Sequence, residues 1–285
     1  MSKAAEALRI SALTVIALLA FAGNSLLCRL ALQGGHADPA AFTLIRLASG
    51  AAALWIVMRV GRRDQRIGGD WRAAFALFAY AITFSFAYVS LTAGTGALLA
   101  FGAVQASMLL VGFLKGERLG PAQGLGLALA VAGLVYMVLP GVEAPPPLGA
   151  VLMLTAGVAW GLYSLRGRRA GDPVAATAGN FLRTVPLALV ATLLFVSRLE
   201  VDPMGWALAL ISGVVTSGLG YVIWYTALKG LTATRAAVVQ LSVPTITAFG
   251  GVLFLGESFT PRLAIASCVI LGGVALAILS RTRRA

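Results

Sequence analysis

Four uncharged amides sit inside long apolar runs of this 285-residue chain: Asn24, Gln105, Asn180 and Gln240. Such groups are costly at bilayer depth unless they meet a partner or line a cavity. Each can donate and accept hydrogen bonds, so each could hold a polar solute or, equally, glue two helices together. Arg46 and Arg183 also fall inside the runs, seven residues after Pro39 and ten after Pro173. They could bind a carboxylate, hold a gate, pair with a neighbour or snorkel to a headgroup. Arg235 is close enough to a run's end for snorkelling. The acids, Glu257 among them, and the lone His36 lie in loops or at run ends. Cys28 and Cys268 are isolated small apolar residues. This inventory holds no paired carboxylates, no nucleophile with a base and no metal set. No catalytic residue, cofactor or metal is expected.

Aromatic residues add a second pattern. Tyr80, Phe84 and Tyr88 recur every four residues and form a stripe on one helical face. Phe101, Trp160 and Tyr163 lie in other apolar runs. An apolar cavity with a few polar groups would suit an aromatic or amphipathic solute. The same rings could simply pack between helices or against lipid.

The elements that hold these residues follow from composition. Hydrophobic residues make up 59% of the chain and charged ones 11%, too few charges to cover a water-facing surface. The bilayer removes that difficulty. Apolar windows bounded by charge, Pro or Gly predict an all-α integral membrane protein with ten spans: 10–32, 40–58, 72–91, 95–114, 121–139, 147–166, 174–197, 204–228, 233–255 and 262–280. The first run is too long for a signal peptide and is read as a retained helix. Nine of the eleven prolines fall in loops or at helix starts. Only Pro186 and Pro244 lie within spans.

The net charge of +12 does not point to nucleic acid, because the basic residues form no block. With the N-terminus cytoplasmic, sixteen Lys and Arg residues fall on the inner side, Arg63, Arg168 and Arg169 among them. Only Arg29, Arg198 and Arg262 fall outside. This bias predicts N-in, C-in insertion, in a bacterial inner membrane.

An internal repeat organises the spans. Gly116-Glu117-Arg118-Leu119-Gly120-Pro121 matches Gly256-Glu257-Ser258-Phe259-Thr260-Pro261 at an offset of 140 residues, and Gly133 and Gly273 keep that offset. Each half holds five spans, an odd number, so the halves enter the membrane in opposite senses. The expected units are 1–143 and 144–285.

A repeated five-helix unit with aromatic–Gly in its first helix (Trp160-Gly161) and Gly-Glu-x-x-x-Pro between its fourth and fifth resembles the drug/metabolite transporter superfamily. The first half has Phe21-Ala22-Gly23 where that family often has Trp-Gly. Size and motif style are most similar to the ten-helix bacterial exporters of the aromatic amino-acid type. The resemblance implies a carrier that exports small amphipathic solutes, amino acids including aromatic ones, with drugs or other metabolites as the alternative cargo.

Inverted halves can rock about a site near the midplane, marked by interrupted helices. Expected interruptions are Gly23-Asn24-Ser25 against Gly161, and Gly102 to Gln105 against Ser242 to Pro244. The expected binding set is Asn24, Tyr80, Phe84, Tyr88, Phe101, Gln105, Trp160, Tyr163 and Gln240. Arg46, Arg183 and Pro244 are assigned gating or structural roles. Gly102 and Ala103 are expected to let another backbone or a ligand approach near Gln105. With no acid or His predicted in the interior, uncoupled movement is favoured over proton coupling. A channel or scaffold would not require two inverted halves. The partners expected are the solute and the lipid bilayer; no nucleic acid is expected, and the oligomeric state is left open.

Overall fold

Prolines and aspartates decide where the helices start. The structure, a computed structural model, describes residues 3–61, 67–114, 120–167, 171–195, 200–231 and 233–282. Helix α2 (Pro39–Gly61), α5 (Pro121–Val138), α6 (Pro147–Gly167), α7 (Pro173–Leu194), α8 (Pro203–Ile211) and α12 (Pro261–Thr282) all begin on Pro, where the missing N–H has no partner to lose. Asp172 and Asp202 cap α7 and α8, and Asp70 caps α3 (Trp71–Tyr88) through the Ala73 N–H. The remaining helices are α1 (Lys3–Gln33), α4 (Ala93–Leu114), α9 (Gly220–Leu228), α10 (Ala233–Gln240) and α11 (Ser242–Leu255). A π-helical segment, Ser212–Leu219, joins α8 to α9.

Nine helical rods among the described residues are long and apolar enough to cross a membrane. The sequence predicted ten. The difference is α3, which starts at Trp71-Arg72 and carries Tyr80, Thr83, Ser85 and Tyr88. These polar atoms lower its apolar character, and Ser85 and Tyr88 point into the protein core.

Packing places α1 at the centre, against α3, α4, α9, α11 and the π segment. Helices α5 and α12 form the tightest pair. A Cβ at Gly126 would lie 2.6 Å from the Ala277 nitrogen, and one at Gly273 2.7 Å from the Gly126 carbonyl oxygen. Only glycine lets these backbones approach so closely.

The predicted interruptions meet mixed outcomes. α1 runs unbroken through Gly23-Asn24-Ser25, α6 through Gly161, and α4 through Gly102 to Gln105. The ladder at each site stays intact because none contains proline. The break before Pro244 is real: α10 ends at Gln240 and α11 begins at Ser242. Proline lacks the N–H that would close the turn on residue 240. The π segment had no counterpart in the sequence reading.

The Gly-Glu motif is visible in its second copy. Gly256, at φ +64°, ends α11 in the left-handed region. That turn sends the Glu257 carboxylate back into the protein. There it accepts the Arg29 Nε–H at 3.1 Å and the Ala93 N–H at 2.8 and 3.0 Å. Arg29 also donates to the carbonyls of Tyr88 and Val89. One ion pair thus ties α1, α3 and α4 to the α11–α12 turn. Glu257 sits at a span end as expected, yet its side chain is only 7% exposed. The first copy, Gly116 to Leu119, lies outside the described residues, as do Arg63, Arg168, Arg169 and Arg198.

Candidate functional site

Asn24 is the polar centre of the interior. Its Oδ1 accepts the hydroxyls of Ser212 at 2.8 Å and Thr216 at 3.3 Å, both on the π segment. Its Nδ2 donates to the Tyr80 hydroxyl at 3.4 Å. One amide therefore joins α1, α3 and the π segment. π geometry suits this position, because its wider turns swing several small polar side chains to one side and recur at functional sites.

Around Asn24 lies a partly open cavity of about 40 Å³. Its walls include Phe21, Tyr80, Phe84, Phe101, Trp160, Tyr221 and Gln240, with Ser25, Thr216 and Ser217 between them. Trp160 is the hub of the aromatic wall. Its ring centroid is 4.8 Å from Tyr80, 5.2 Å from Tyr221 and 5.3 Å from Tyr163. A space of this size holds a few waters. A larger solute requires the rings or the helices to separate.

Six of the nine expected binding residues meet here: Asn24, Tyr80, Phe84, Phe101, Trp160 and Gln240. Three do not line the cavity. Tyr88 turns to the Ala93 carbonyl at 3.3 Å and packs edge-on against Phe84. Tyr163 stands behind Trp160, with its hydroxyl 3.5 Å from Thr177. Gln105 is buried in α4, one residue past the lining Val104. Gly102 faces Leu134 and Ile270, at 2.9 and 3.0 Å from its would-be Cβ. Its smallness therefore admits α5 and α12 rather than a solute.

The two predicted arginines differ in their surroundings. Arg183 donates to the carbonyls of Gly68 and Gly179, both at 2.8 Å, and fastens the chain ahead of α3 onto α7. Arg46 is 1% exposed, and its guanidinium lies 5.8 Å from the Tyr80 ring and 5.4 Å from the Phe84 ring. Pro244 is buried at the start of α11. Asn180 accepts from the Asp70 N–H at 3.0 Å. It lines a separate cleft of about 480 Å³ beside Asp70, Arg166 and Ala176.

Ser212, Thr216 and Ser217 were missed by sequence reasoning, and Phe21 and Tyr221 were not in the expected binding set. The signal was a run of small and hydroxylic residues, Ser212-Gly213-Val214-Val215-Thr216-Ser217-Gly218, in the middle of an apolar span. Far from this cavity, at the ion-pair end, His36 Nδ1 lies 2.8 Å from the Asp202 carboxylate. That hydrogen bond holds the Asp202 carboxyl below the ordinary aspartate range.

Among the described residues no cluster of His, Cys, Asp or Glu could hold a metal ion. The cavity wall carries hydroxyls, amides and rings, which can bind and release a solute but offer no general acid–base pair.

Residues 147–279 match the model of the EamA-like transporter family. A Pseudomonas aeruginosa relative, Uncharacterized protein PA1977, is 54% identical over 274 residues, 96% of each chain. The aromatic amino acid exporter YddG of Ancylobacter novellus is 30% identical over 186 residues, 62% of this chain and 63% of its own. A protein known from a crystal structure shares the fold with a TM-score of 0.68 at 23% identity, over 96% of this chain and 99% of its own.

Proposed function

We propose, from the premise that this chain belongs to the EamA-like transporter family of the drug/metabolite transporter superfamily, that it exports small amphipathic solutes, amino acids with aromatic side chains among them. It is a transporter and not an enzyme. The observation that carries the substrate reading is the cavity whose wall includes six aromatic rings, with Asn24 as its polar centre. Rings supply large apolar contact area and prefer offset or edge-on partners. The name of YddG, an aromatic amino acid exporter, supports the same class.

In this reading α3 is the tenth crossing. Residues 1–143 and 144–285 are two five-span units of opposite sense, which rock to expose the cavity to each side in turn. The membrane is the bacterial inner membrane, with both termini cytoplasmic. Movement is uncoupled, because no Asp, Glu or His lines the cavity. The Glu257 carboxylate is held at a span end by Arg29.

Purified protein in vesicles is expected to exchange labelled phenylalanine or tryptophan by counterflow at equal pH, with an ionophore present. Exchange that needs an imposed proton gradient overturns the uncoupled mechanism. Exchange of neither amino acid overturns the substrate class.

Topology is testable on exposed loop positions. Val142→Cys should react with an impermeant thiol reagent only from outside the cell, and Lys229→Cys only from the cytoplasm. Both positions are exposed. Reaction of both from one side would exclude the proposed insertion.

A further inference from the structure

The interior of this transporter contains a cation, Arg46, whose charge no carboxylate meets among the described residues. Arg46 sits on α2 with 1% of its surface exposed. Its Nη2 donates to the Ala81 carbonyl at 3.2 Å, while its Nη1 has no hydrogen-bond partner among the described residues. Among the described residues the ion pairs are Arg29–Glu257 and His36–Asp202, so neither involves Arg46.

The other enclosed arginines are satisfied differently. Arg29 has Glu257 and two carbonyls. Arg183 has two carbonyls. Arg262 holds the carbonyls of Tyr136, Leu139 and Val142 at the end of α5, leaving only its Nε unpaired. These three fasten backbone. Arg46 instead lies against the rings of Tyr80 and Phe84, both of which form the cavity wall. One layer of side chains separates the guanidinium from the solute space. The Tyr80 hydroxyl is held by Asn24 through a long 3.4 Å hydrogen bond, a weak restraint on that layer.

We propose that Arg46 recognises a carboxylate on the transported solute. This rests on the reading of the cavity as the amino-acid site. Guanidinium presents paired N–H groups in the planar spacing of a carboxylate, and the free Nη1 leaves that edge open. The solute's ring takes the place beside Trp160 and Tyr221. Its carboxylate reaches Arg46 as Tyr80 turns aside. An anionic group is then the specificity element, and the buried charge gains its counter-ion only when cargo is bound.

The test compares phenylalanine with phenylalaninamide, which keeps the ring and the amine and lacks the carboxylate. In vesicles, Arg46→Gln should raise KM for phenylalanine by roughly tenfold, the loss of one charge-assisted contact. It should leave KM for the amide within about twofold of the parent. Arg46→Lys should fall between. Equal effects on both solutes, or none on phenylalanine, overturn the proposal. A readout on the parent protein guards against a variant that does not fold. There 3-phenylpropionate should compete with phenylalanine and raise the melting temperature, and phenethylamine should do so far less. Phenethylamine matching or exceeding phenylpropionate overturns the proposal. If the parent moves no phenylalanine, the amino-acid reading fails by itself. The thermal shift with phenylpropionate, and its loss in Arg46→Gln or Arg46→Lys, then still decides on Arg46.

Discussion

Glu257→Gln is expected to destabilise the folded transporter by about 3–5 kcal/mol, because it strands the Arg29 charge. The pair is not an ordinary surface contact. Its side chains are 9% and 7% exposed, whereas solvent-exposed pairs contribute only about 0–1 kcal/mol. The carboxylate also accepts the Ala93 N–H at the start of α4, where the helix dipole favours negative charge. The neutral amide loses the ion pair and most of that dipole interaction together. Thermal unfolding of detergent-purified protein measures the loss. Removing both charges, as in Arg29→Met with Glu257→Leu, should recover much of it, since the penalty arises from the unpaired partner. A Glu257→Gln protein that melts with the parent would show that Arg29 finds enough compensation in the Tyr88 and Val89 carbonyls.

Trp160→Leu should raise KM for aromatic amino acids roughly tenfold while leaving any aliphatic amino acid that the parent carries nearly unchanged. Trp160 is the ring that touches Tyr80, Tyr163 and Tyr221. A well-placed ring pair contributes about 0.5–1.5 kcal/mol beyond simple burial, and about 1.4 kcal/mol is tenfold in affinity. Leucine keeps apolar bulk, so the change isolates ring recognition. The measurement is initial flux against concentration, normalised to monodisperse protein. A parallel loss for aliphatic and aromatic amino acids would show that Trp160 shapes the cavity without selecting aromatic cargo.

How much of this was legible in the sequence depends on what each feature needs. Helix starts were readable because Pro39, Pro121, Pro147, Pro173, Pro203 and Pro261 act locally. The break at Pro244 was readable for the same reason. Asn24 was singled out because an amide in an apolar run needs a partner, and it has three. Gln105 satisfied the same rule, but the rule does not say which neighbour lies opposite. Gly102 was read as room for another backbone or a ligand, because a glycine marks a close approach without naming what approaches; neighbouring helices take the space. Glu257 stands in a turn, so its position suggested solvent. Its burial depends on Arg29, 228 residues away. The π segment leaves the apolar periodicity almost unchanged, and only its hydroxyl and glycine content hints at it.

The two irregular rods differ in what they permit mechanically. A helix in lipid cannot break its ladder without leaving polar groups unsatisfied. The π segment offers a way around this. A wide turn can interconvert with a tight one while the donors and acceptors trade partners, so Tyr221 and Trp224 can rotate about the rod's axis relative to α8. The gap between Gln240 and Ser242 offers bending instead. Both compliances lie after residue 200, in the rods of α8–α9 and α10–α11. α4 precedes Pro121 as α10–α11 precede Pro261, yet it is stiff from Ala93 to Leu114. Among the described residues, then, apolar helix of spanning length is delivered in two kinds, rods that can twist or flex and rods such as α4 that are continuous.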